Sequence, residues 1–317
     1  MKIAITGGTG FIGQALVARL LAGGHSVLVL SRYPGTARLP QGVRADFFDA
    51  ARPPEPDLLN GIETVIHLAG ESIAKRWTAE QKRRVLESRQ RGTSAIARAA
   101  AQARTVRTLV SASAIGYYGP HQDEELREDS PAGNDFLAGV CTAWEQATSP
   151  AEEAGLRVVH LRTGIVLHPA GGALQKMIGP FKLGLGGRIG SGRQYMSWIH
   201  LGDLLALYIY ALSTESIRGP INGTAPHPVT NEEFTRALGR VLNRPALMPA
   251  PAFALKAALG EMSSMLLTGQ RVVPAVALAS GFKFAFPDLE PALRDLLDRK
   301  AKAVSSGSVA TGAANRQ

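Results

Sequence analysis

The sequence of 317 residues has a single cysteine, Cys141. One cysteine cannot form an intramolecular disulfide, and it excludes a structural zinc site built on a cysteine cluster. No metal site is predicted, and a reducing, cytoplasmic compartment fits this composition. The first five residues run directly into a glycine-rich motif, so we expect no amino-terminal export signal.

Long apolar runs are also missing from the sequence. The longest, such as Leu204 to Leu212, fall well short of the roughly 20 residues that a membrane-spanning helix needs. We therefore expect no membrane helix and no membrane partner.

Acidic residues are scarce relative to basic ones, 26 against 35, which gives a formal net charge of +9. Such an excess is compatible with nucleic acid, an anionic membrane surface or an anionic small ligand, and charge alone does not decide among them. The densest basic stretch, Lys82 to Arg91, lies in a helical pattern without interleaved aromatic residues. That pattern is typical of a solvated helix face, so a nucleic-acid partner ranks last.

Strand-like and helical patterns alternate through the first half of the chain. Strands are predicted over 2–6, 26–31, 64–68, 108–113 and 157–161, and helices over 12–21, 78–103 and 136–154, the last interrupted at Ser149-Pro150. Alternation of this kind is typical of βαβ units. We predict an α/β fold, a Rossmann-type doubly wound parallel sheet of at least five strands with a smaller C-terminal substrate-binding lobe.

A glycine motif follows the first predicted strand and opens the first helix. Residues 6–13 read TGGTGFIG and satisfy G-x-G-x-x-G. Such glycines permit a tight turn, a close approach of backbone to a pyrophosphate, and close packing of the helix on the sheet. We assign dinucleotide binding to this segment, with contacts from Gly7, Gly10, Phe11, Ile12 and Gly13.

The end of the second predicted strand indicates which dinucleotide is bound. NAD enzymes place an acidic residue there, whereas this chain has Ser31-Arg32. A guanidinium matches a 2′-phosphate that a carboxylate would repel, and a hydroxyl adds a hydrogen bond. We predict NADP (NADPH) as the cofactor. The alternative is that Arg32 is only an exposed loop residue.

Domain boundaries follow from these patterns and from Thr163, after which the sequence becomes glycine-rich and irregular. Residues 1–165 are expected to form an NADP-binding Rossmann domain, with a returning strand near 220–225. Residues 166–298 are expected to form the substrate lobe and a C-terminal helical extension, in which residues 230–233 form a capping box. Residues 302–317 are small and polar and are expected to be a disordered tail.

Several motifs together resemble a known family. With TGGTGFIG at 6–13, HLAGE at 67–71 and YYG at 117–119, the sequence resembles the extended short-chain dehydrogenase/reductases. More specifically it is similar to the atypical branch described as NAD-dependent epimerase/dehydratase-like or nucleoside-diphosphate-sugar-epimerase-like, which has its own C-terminal extension. The likeness covers residues 1 to about 298. It implies that Leu68, Ala69 and Arg89 contact the cofactor.

The resemblance also implies a catalytic serine, Ser113, which would orient a substrate carbonyl or hydroxyl. The usual Tyr-x-x-x-Lys dyad is absent, because the region where it should fall reads FLAGVC at 136–141. Tyr117 and Tyr118 are the nearest phenols, and either is a candidate proton donor; packing at the strand end is the alternative for both.

Weaker candidates lie further along the chain. Arg162, Arg188 and Arg193, with the glycine-rich stretch 184–192, are expected to bind an anionic group on the substrate. Asp203 is either a site residue or a helix N-cap.

Two functional hypotheses follow. The first is an NADP-dependent oxidoreductase or epimerase-like enzyme acting on a small carbonyl, hydroxyl or sugar-nucleotide substrate. The second is a catalytically inactive NADPH-sensing or binding module, which the missing dyad favours. The sequence leaves the substrate and the oligomeric state open.

Overall fold

The structure is a computed structural model that describes residues 1–51 and 57–298. The predicted disordered tail, 302–317, lies outside the described residues. Within them, seven parallel strands form the central sheet, in the order β11-β7-β5-β4-β1-β2-β3. These strands are β1 (Lys2–Thr6), β2 (Ser26–Ser31), β3 (Arg44–Phe47), β4 (Thr64–His67), β5 (Thr108–Ala114), β7 (Arg157–Thr163) and β11 (Gly219–Gly223).

Short strands outside the central sheet form two-stranded pairs. They are β6 (Glu125–Leu126), β8 (Ile165–His168), β9 (Tyr195–Met196), β10 (Trp198–His200), β12 (Val229–Thr230) and β13 (Arg271–Val272). Strand β8 pairs with β10, β9 with β12 and β6 with β13. The last pair ties the C-terminal segment to the loops above the sheet.

Helices cover both faces of the sheet and build the lobe. They are α1 (Phe11–Ala22), α2 (Ala79–Gln102), α3 (Phe136–Gln146), α4 (Ser149–Glu153), α5 (Gly172–Lys182), α6 (Leu201–Ser213), α7 (Asn231–Leu242), α8 (Ala252–Leu259), α9 (Ser264–Leu267), α10 (Ala275–Ala279) and α11 (Leu289–Leu297). The predicted helix over 136–154 is interrupted, and Pro150 lies in the first turn of α4, because proline lacks the N–H that a continuous helix needs. The predicted capping box at Thr230 and Glu233 opens α7.

The sequence pattern explains the central strands. Strand β4 is buried along its whole length and β1 at four of its five residues, as a parallel sheet covered on both faces requires. Strand β3 was not predicted, because it lies at the sheet edge and is exposed or half-buried throughout, so it has no apolar run. The fold is a Rossmann-type, doubly wound α/β sheet, as predicted.

The order of strands locates the cleft. From β1 the strand order runs through β2 and β3 to one edge of the sheet, whereas β4 lies on the other side of β1, parallel to it. Ligands of doubly wound sheets bind at this switch point, at the carboxyl ends of the strands. The segments that leave β1 and β4 there are residues 7–13 and 68–71. Across residues 1–51 and 57–298, no helix combines the length and apolar character needed to cross a bilayer.

Candidate cofactor and substrate site

The glycine turn after β1 presses directly on the segment after β4. Gly7 has a φ of +70°, and a Cβ at that position would lie 2.8 Å from the Ala69 nitrogen and the Leu68 carbonyl carbon. A Cβ at Gly13 would lie 2.1 Å from the Gly7 oxygen. Both positions therefore require glycine. Gly10 is the N-cap of α1, whose first turn has no acidic residue. The backbone thus leaves a cradle at a helix N-terminus, which fits a pyrophosphate.

Phe11 and Ile12 are half-buried at the start of α1. The Phe11 ring packs on Gly171 of the lobe, where a Cβ would lie 2.4 Å from Cδ2 of the ring. Phe11 also lies 5.7 Å, centroid to centroid, from His168. Phe11 therefore links the glycine turn to the lobe, a packing role that the sequence did not indicate.

Ser31 and Arg32 stand at the carboxyl end of β2, as predicted from the strand pattern. The Ser31 hydroxyl accepts a hydrogen bond of 3.1 Å from the Tyr33 N–H. The Arg32 guanidinium is exposed and lies 5.8 Å from the Tyr33 ring centroid. It forms no ion pair with a carboxylate in the part of the chain that the structure describes, so its charge is available to an anion.

Arg89 lies on α2 beside the segment after β4. Its Nη1 donates to the carbonyl oxygens of Glu71 at 2.9 Å and Val85 at 3.2 Å. The guanidinium lies 4.7 Å from the Trp144 ring centroid, and a Cβ at Gly70 would lie 3.3 Å from its Cζ. Burial lowers the pKa of Arg89. No carboxylate of residues 1–51 or 57–298 forms an ion pair with it, so Arg89 is a half-buried cation beside the cradle that no carboxylate contacts directly.

His67 at the end of β4 has a structural role. Its Nδ1 lies 2.7 Å from the Thr6 hydroxyl, which also accepts a hydrogen bond of 3.3 Å from the Ala69 N–H. Burial, with a smaller contribution from the charge of Arg89, lowers the pKa of His67 to about 3. The imidazole is therefore neutral and joins the ends of β1 and β4.

Ser113 is buried at the end of β5 and is part of a charged network. Its hydroxyl donates to Oε1 of Glu145 at 2.6 Å. Arg162 holds the same carboxylate through Nε and Nη2, both at 2.8 Å. The Arg162 side chain is 3% exposed, and Glu145 is 11% exposed. Burial acts to lower the pKa of Arg162, but Glu145 outweighs it, so that pKa is raised.

The structure does not support the expectation that Arg162 binds a substrate anion. Besides Glu145, it donates from Nη1 to the Tyr118 hydroxyl at 3.1 Å and to the Glu128 carbonyl oxygen at 3.1 Å. With its donors committed inside the protein, Arg162 is a structural cation. No pattern in the sequence singles out Glu145 as the partner of Ser113.

The two candidate tyrosines are placed differently. Tyr118 is fully buried, and its hydroxyl donates to Oδ1 of Asn222 on β11 at 2.7 Å. Burial raises the pKa of Tyr118 to about 12. Tyr117 is half-buried, and its ring centroid lies 3.4 Å from Cζ of Arg162. These contacts favour a structural role for Tyr118 and leave Tyr117 as the better-placed phenol.

The position of the missing dyad is apolar. Phe136 begins α3, and Val140 is one turn further on and buried. The Phe136 ring packs edge-on against Trp77 at 5.3 Å, and Nζ of Lys82 lies 5.0 Å from its centroid. Where other members of the superfamily have a Tyr and a Lys that transfer a proton, this chain therefore has side chains that pack together.

The glycine-rich stretch 184–192 lies on the lobe rather than over the cradle. A Cβ at Gly187 would lie 2.0 Å from the Met248 oxygen, and the Asn231 side chain accepts from the Ile189 N–H at 2.7 Å. Arg188 donates to the Ser191 carbonyl oxygen at 2.9 Å and, like Arg193, is exposed. Gly187 therefore serves close backbone packing, and the expectation that Arg188 and Arg193 bind an anionic group on the substrate stays a prediction.

His200, not Asp203, is the N-cap of α6, because its Nδ1 accepts from the Gly202 N–H at 3.0 Å. The Asp203 carboxylate accepts from the backbone N–H groups of Ala285 and Phe286, each at 2.9 Å. Asp203 thus anchors the C-terminal segment on α6. Among the described residues, no group of three or more His, Cys, Asp or Glu side chains is arranged to hold a metal ion.

Comparisons with known proteins agree with this geometry. Residues 3–222 match the family model described as NAD dependent epimerase/dehydratase family, and residues 250–296 match a domain of unknown function, DUF1731. The chain is 44% identical over 286 residues to epimerase family protein Mb2239 of Mycobacterium bovis, covering 89% of this chain and 93% of that protein. It is 41% identical to epimerase family protein SDR39U1 of Mus musculus, covering 94% and 100%.

A solved structure extends the likeness to the whole fold. The crystal structure of human epimerase family protein SDR39U1 (isoform 2) with NADPH matches with a TM-score of 0.86 and 37% identity, covering 94% of this chain and 100% of that one. The match includes both the sheet and the C-terminal lobe.

Proposed function

This chain belongs to the NAD dependent epimerase/dehydratase family, and from that premise we propose that it is an NADP(H)-binding oxidoreductase or epimerase-like enzyme acting on a small carbonyl, hydroxyl or sugar-nucleotide substrate. The observation that carries the proposal is the tight glycine turn at the N-terminus of α1, where a Cβ at Gly7 or Gly13 would collide with backbone atoms. The human relative crystallised with NADPH supports the same cofactor.

Three features of the chain suit the anionic parts of NADPH. The N-terminus of α1 faces the cradle and offers backbone N–H groups to the pyrophosphate. Arg89 is a half-buried cation that no carboxylate of the described residues contacts directly, and a bound anion would offset the cost of its partial burial. Ser31 and the exposed Arg32 suit the 2′-phosphate that distinguishes NADPH from NADH.

The cofactor supplies hydride transfer when bound, and the remaining chemistry falls to this chain. The Ser113 oxygen, whose proton is donated to Glu145, presents lone pairs to the cleft and orients a donor on the substrate. Tyr117 is the proposed proton donor and acceptor, held by Arg162 beneath its ring.

Calorimetric titration with NADPH and NADH in parallel tests the cofactor, and an absorbance assay over carbonyl, alcohol and sugar-nucleotide panels tests the reaction. We expect tight NADPH binding, weaker NADH binding and turnover of at least one panel member. Ser113→Ala should reduce turnover and leave NADPH affinity intact. If neither dinucleotide binds, the proposal is wrong.

A catalytically inactive NADPH-sensing or binding module is the second candidate. It is favoured by the apolar residues at the dyad position, Phe136 and Val140. NADPH binding without turnover on any panel member would favour it over the enzyme. A cytoplasmic location remains part of the proposal and rests on the single cysteine, which allows no intramolecular disulfide.

A further inference from the structure

Charge is unevenly distributed in the C-terminal lobe. No Asp or Glu occurs in residues 166–202 or 234–260 of the lobe, whereas these two stretches contain eight Lys and Arg residues. The structure brings parts of both stretches side by side. The Met248 N–H donates to the Gly186 oxygen at 3.0 Å, and the Ala250 N–H donates to the Arg188 oxygen at 2.9 Å.

Large apolar side chains project into water along this junction. We call them the lobe apolar patch: Leu183 is 76% exposed, Leu185 57%, Leu247 81%, Met248 57% and Phe253 76%. Helix α8, which carries Phe253, has no buried residue. Exposed apolar side chains that cluster in this way mark an interaction surface rather than ordinary protein surface.

Five exposed cations come from the same two stretches of the chain. They are Lys182, Arg188, Arg193, Arg244 and Lys256, all exposed. None of them pairs with a carboxylate anywhere in residues 1–51 or 57–298. Arg188 and Arg244 instead donate to main-chain carbonyl oxygens, those of Ser191 at 2.9 Å and Lys182 at 3.1 Å. Arg240 on α7, by contrast, forms an ion pair with Glu290.

We propose that this face of the lobe docks on an anionic lipid surface. Projecting Leu, Met and Phe side chains enter the headgroup region, and the Lys and Arg charges meet lipid phosphates. A second copy of this chain suits the face less well, because two such faces would bring ten unpaired cations together. Nucleic acid would leave the aliphatic side chains in water. The protein would lie on the surface, so no membrane-spanning helix is required.

Sedimentation of the protein with phosphatidylcholine vesicles, with and without phosphatidylglycerol, tests the proposal. We expect binding only to the anionic vesicles, and weaker binding at high salt. Leu247→Ser with Phe253→Ser should reduce binding by about tenfold or more, because the inserted apolar area is lost. Arg193→Gln with Lys256→Gln should reduce it by a similar factor, about tenfold.

Matched controls lie elsewhere on the surface. The apolar control is Leu278→Ser, because Leu278 on α10 is 48% exposed. The charge control is Arg104→Gln with Arg107→Gln, which removes two exposed charges beyond α2. Both controls should bind as the wild type does, and the NADPH affinity and unfolding midpoint of every variant report on folding.

Several results would overturn the inference. Absence of binding to anionic vesicles is one, and equal loss in the Arg104/Arg107 control, which would mean that only net charge matters, is another. Light scattering that shows a dimer lost in the Leu247/Phe253 variant would assign the patch to a second copy. Duplex DNA that displaces the protein from the vesicles, and binds the Leu247/Phe253 variant as tightly as the wild type, would assign the face to nucleic acid.

Discussion

The Ser113 hydroxyl donates to Oε1 of Glu145 across 2.6 Å, and this contact sets the polarity of Ser113 toward the cleft. Glu145 also accepts both hydrogen bonds of the Arg162 fork, at 2.8 Å each. Because the serine proton is committed to this acceptor, the serine oxygen offers lone pairs to a ligand. It is therefore suited to a substrate hydroxyl or N–H rather than to a carbonyl oxygen.

The ion pair beneath Ser113 is expected to matter for stability. Arg162→Met should lower the free energy of unfolding by about 3–5 kcal/mol, because it leaves the Glu145 carboxylate buried without its partner. Urea denaturation measures the change. In the exposed pair of Arg240 and Glu290, Arg240→Met should cost about 1 kcal/mol or less. Adding Glu145→Met to Arg162→Met should recover part of the loss; no recovery would contradict the explanation.

Gly13 and Gly139 form a matched pair of helix glycines with opposite surroundings. Gly13→Ala places a Cβ 2.1 Å from the Gly7 oxygen, so it should distort the cradle and weaken NADPH binding by about tenfold or more. A Cβ at Gly139 on α3 meets nothing within 4 Å. Gly139→Ala should leave NADPH affinity unchanged and stabilise the protein by about 0.5–1 kcal/mol. Calorimetry and urea denaturation measure the two effects, and equal NADPH affinity of both variants would refute the role of the cradle.

Local signals made most of the central sheet predictable. Strand β2 (SVLVLS) contains a continuous apolar run, and the glycine motif marks the turn from β1 to α1. Edge strand β3 has no such run, because one edge of a sheet is only partly covered. The small pairs β6–β13 and β9–β12 join segments far apart in the sequence, so no local pattern indicates them.

The sequence indicated which residues belong to the candidate site but not which of them form hydrogen bonds or ion pairs with one another. Ser113 and Arg162 are recognisable as polar residues at strand ends, yet nothing in the sequence shows that Glu145 lies between them. Arg162 was therefore assigned to a substrate anion. Similarly, the glycine-rich stretch 184–192 suggests backbone donors for an anion, but the sequence does not show that Gly187 packs on the backbone at Met248.

His67 should contribute to the pH dependence of stability. Its pKa is about 3 in the folded protein and about 6.5 in an unfolded chain. Below about pH 6.5 the unfolded chain binds a proton that the folded protein does not, so stability falls as pH falls toward 3, by up to about 1.4 kcal/mol per pH unit. His67→Gln should therefore lose about 2 kcal/mol less than the wild type between about pH 7 and pH 5.

Urea denaturation at both pH values measures this difference. Burial also lowers the pKa of His160 and His200, but these residues contribute equally to the wild type and the variant. An identical loss in both proteins would show that His67 is not the titrating group.

Arg32 should determine the preference for NADPH. Arg32→Asp is expected to weaken NADPH binding by at least about tenfold and to affect NADH much less, because only NADPH has the 2′-phosphate that the carboxylate repels. Calorimetric titration of both dinucleotides measures the ratio. Arg104→Asp makes the same charge change at an exposed site beyond α2 and should preserve the ratio. Equal losses for NADPH and NADH would remove Arg32 from cofactor selection.

Tyr117 and Tyr118 should respond in opposite ways to loss of the hydroxyl. Tyr117→Phe keeps the ring over Arg162, so stability and NADPH affinity should be retained while turnover falls by about a hundredfold or more if the phenol transfers the proton. Tyr118→Phe leaves Oδ1 of Asn222 without its donor in the interior, so stability should fall by about 1–3 kcal/mol.

Turnover on a substrate from the panel and urea denaturation together separate the two roles. Undiminished turnover in Tyr117→Phe would exclude it as the proton donor. A selective loss of turnover in Tyr118→Phe at full stability would instead place the chemistry at the buried phenol, although burial raises its pKa to about 12 and makes proton release near neutral pH costly. Because Arg162 contacts both rings, the double variant should show non-additive stability, which distinguishes coupling through Arg162 from two independent effects.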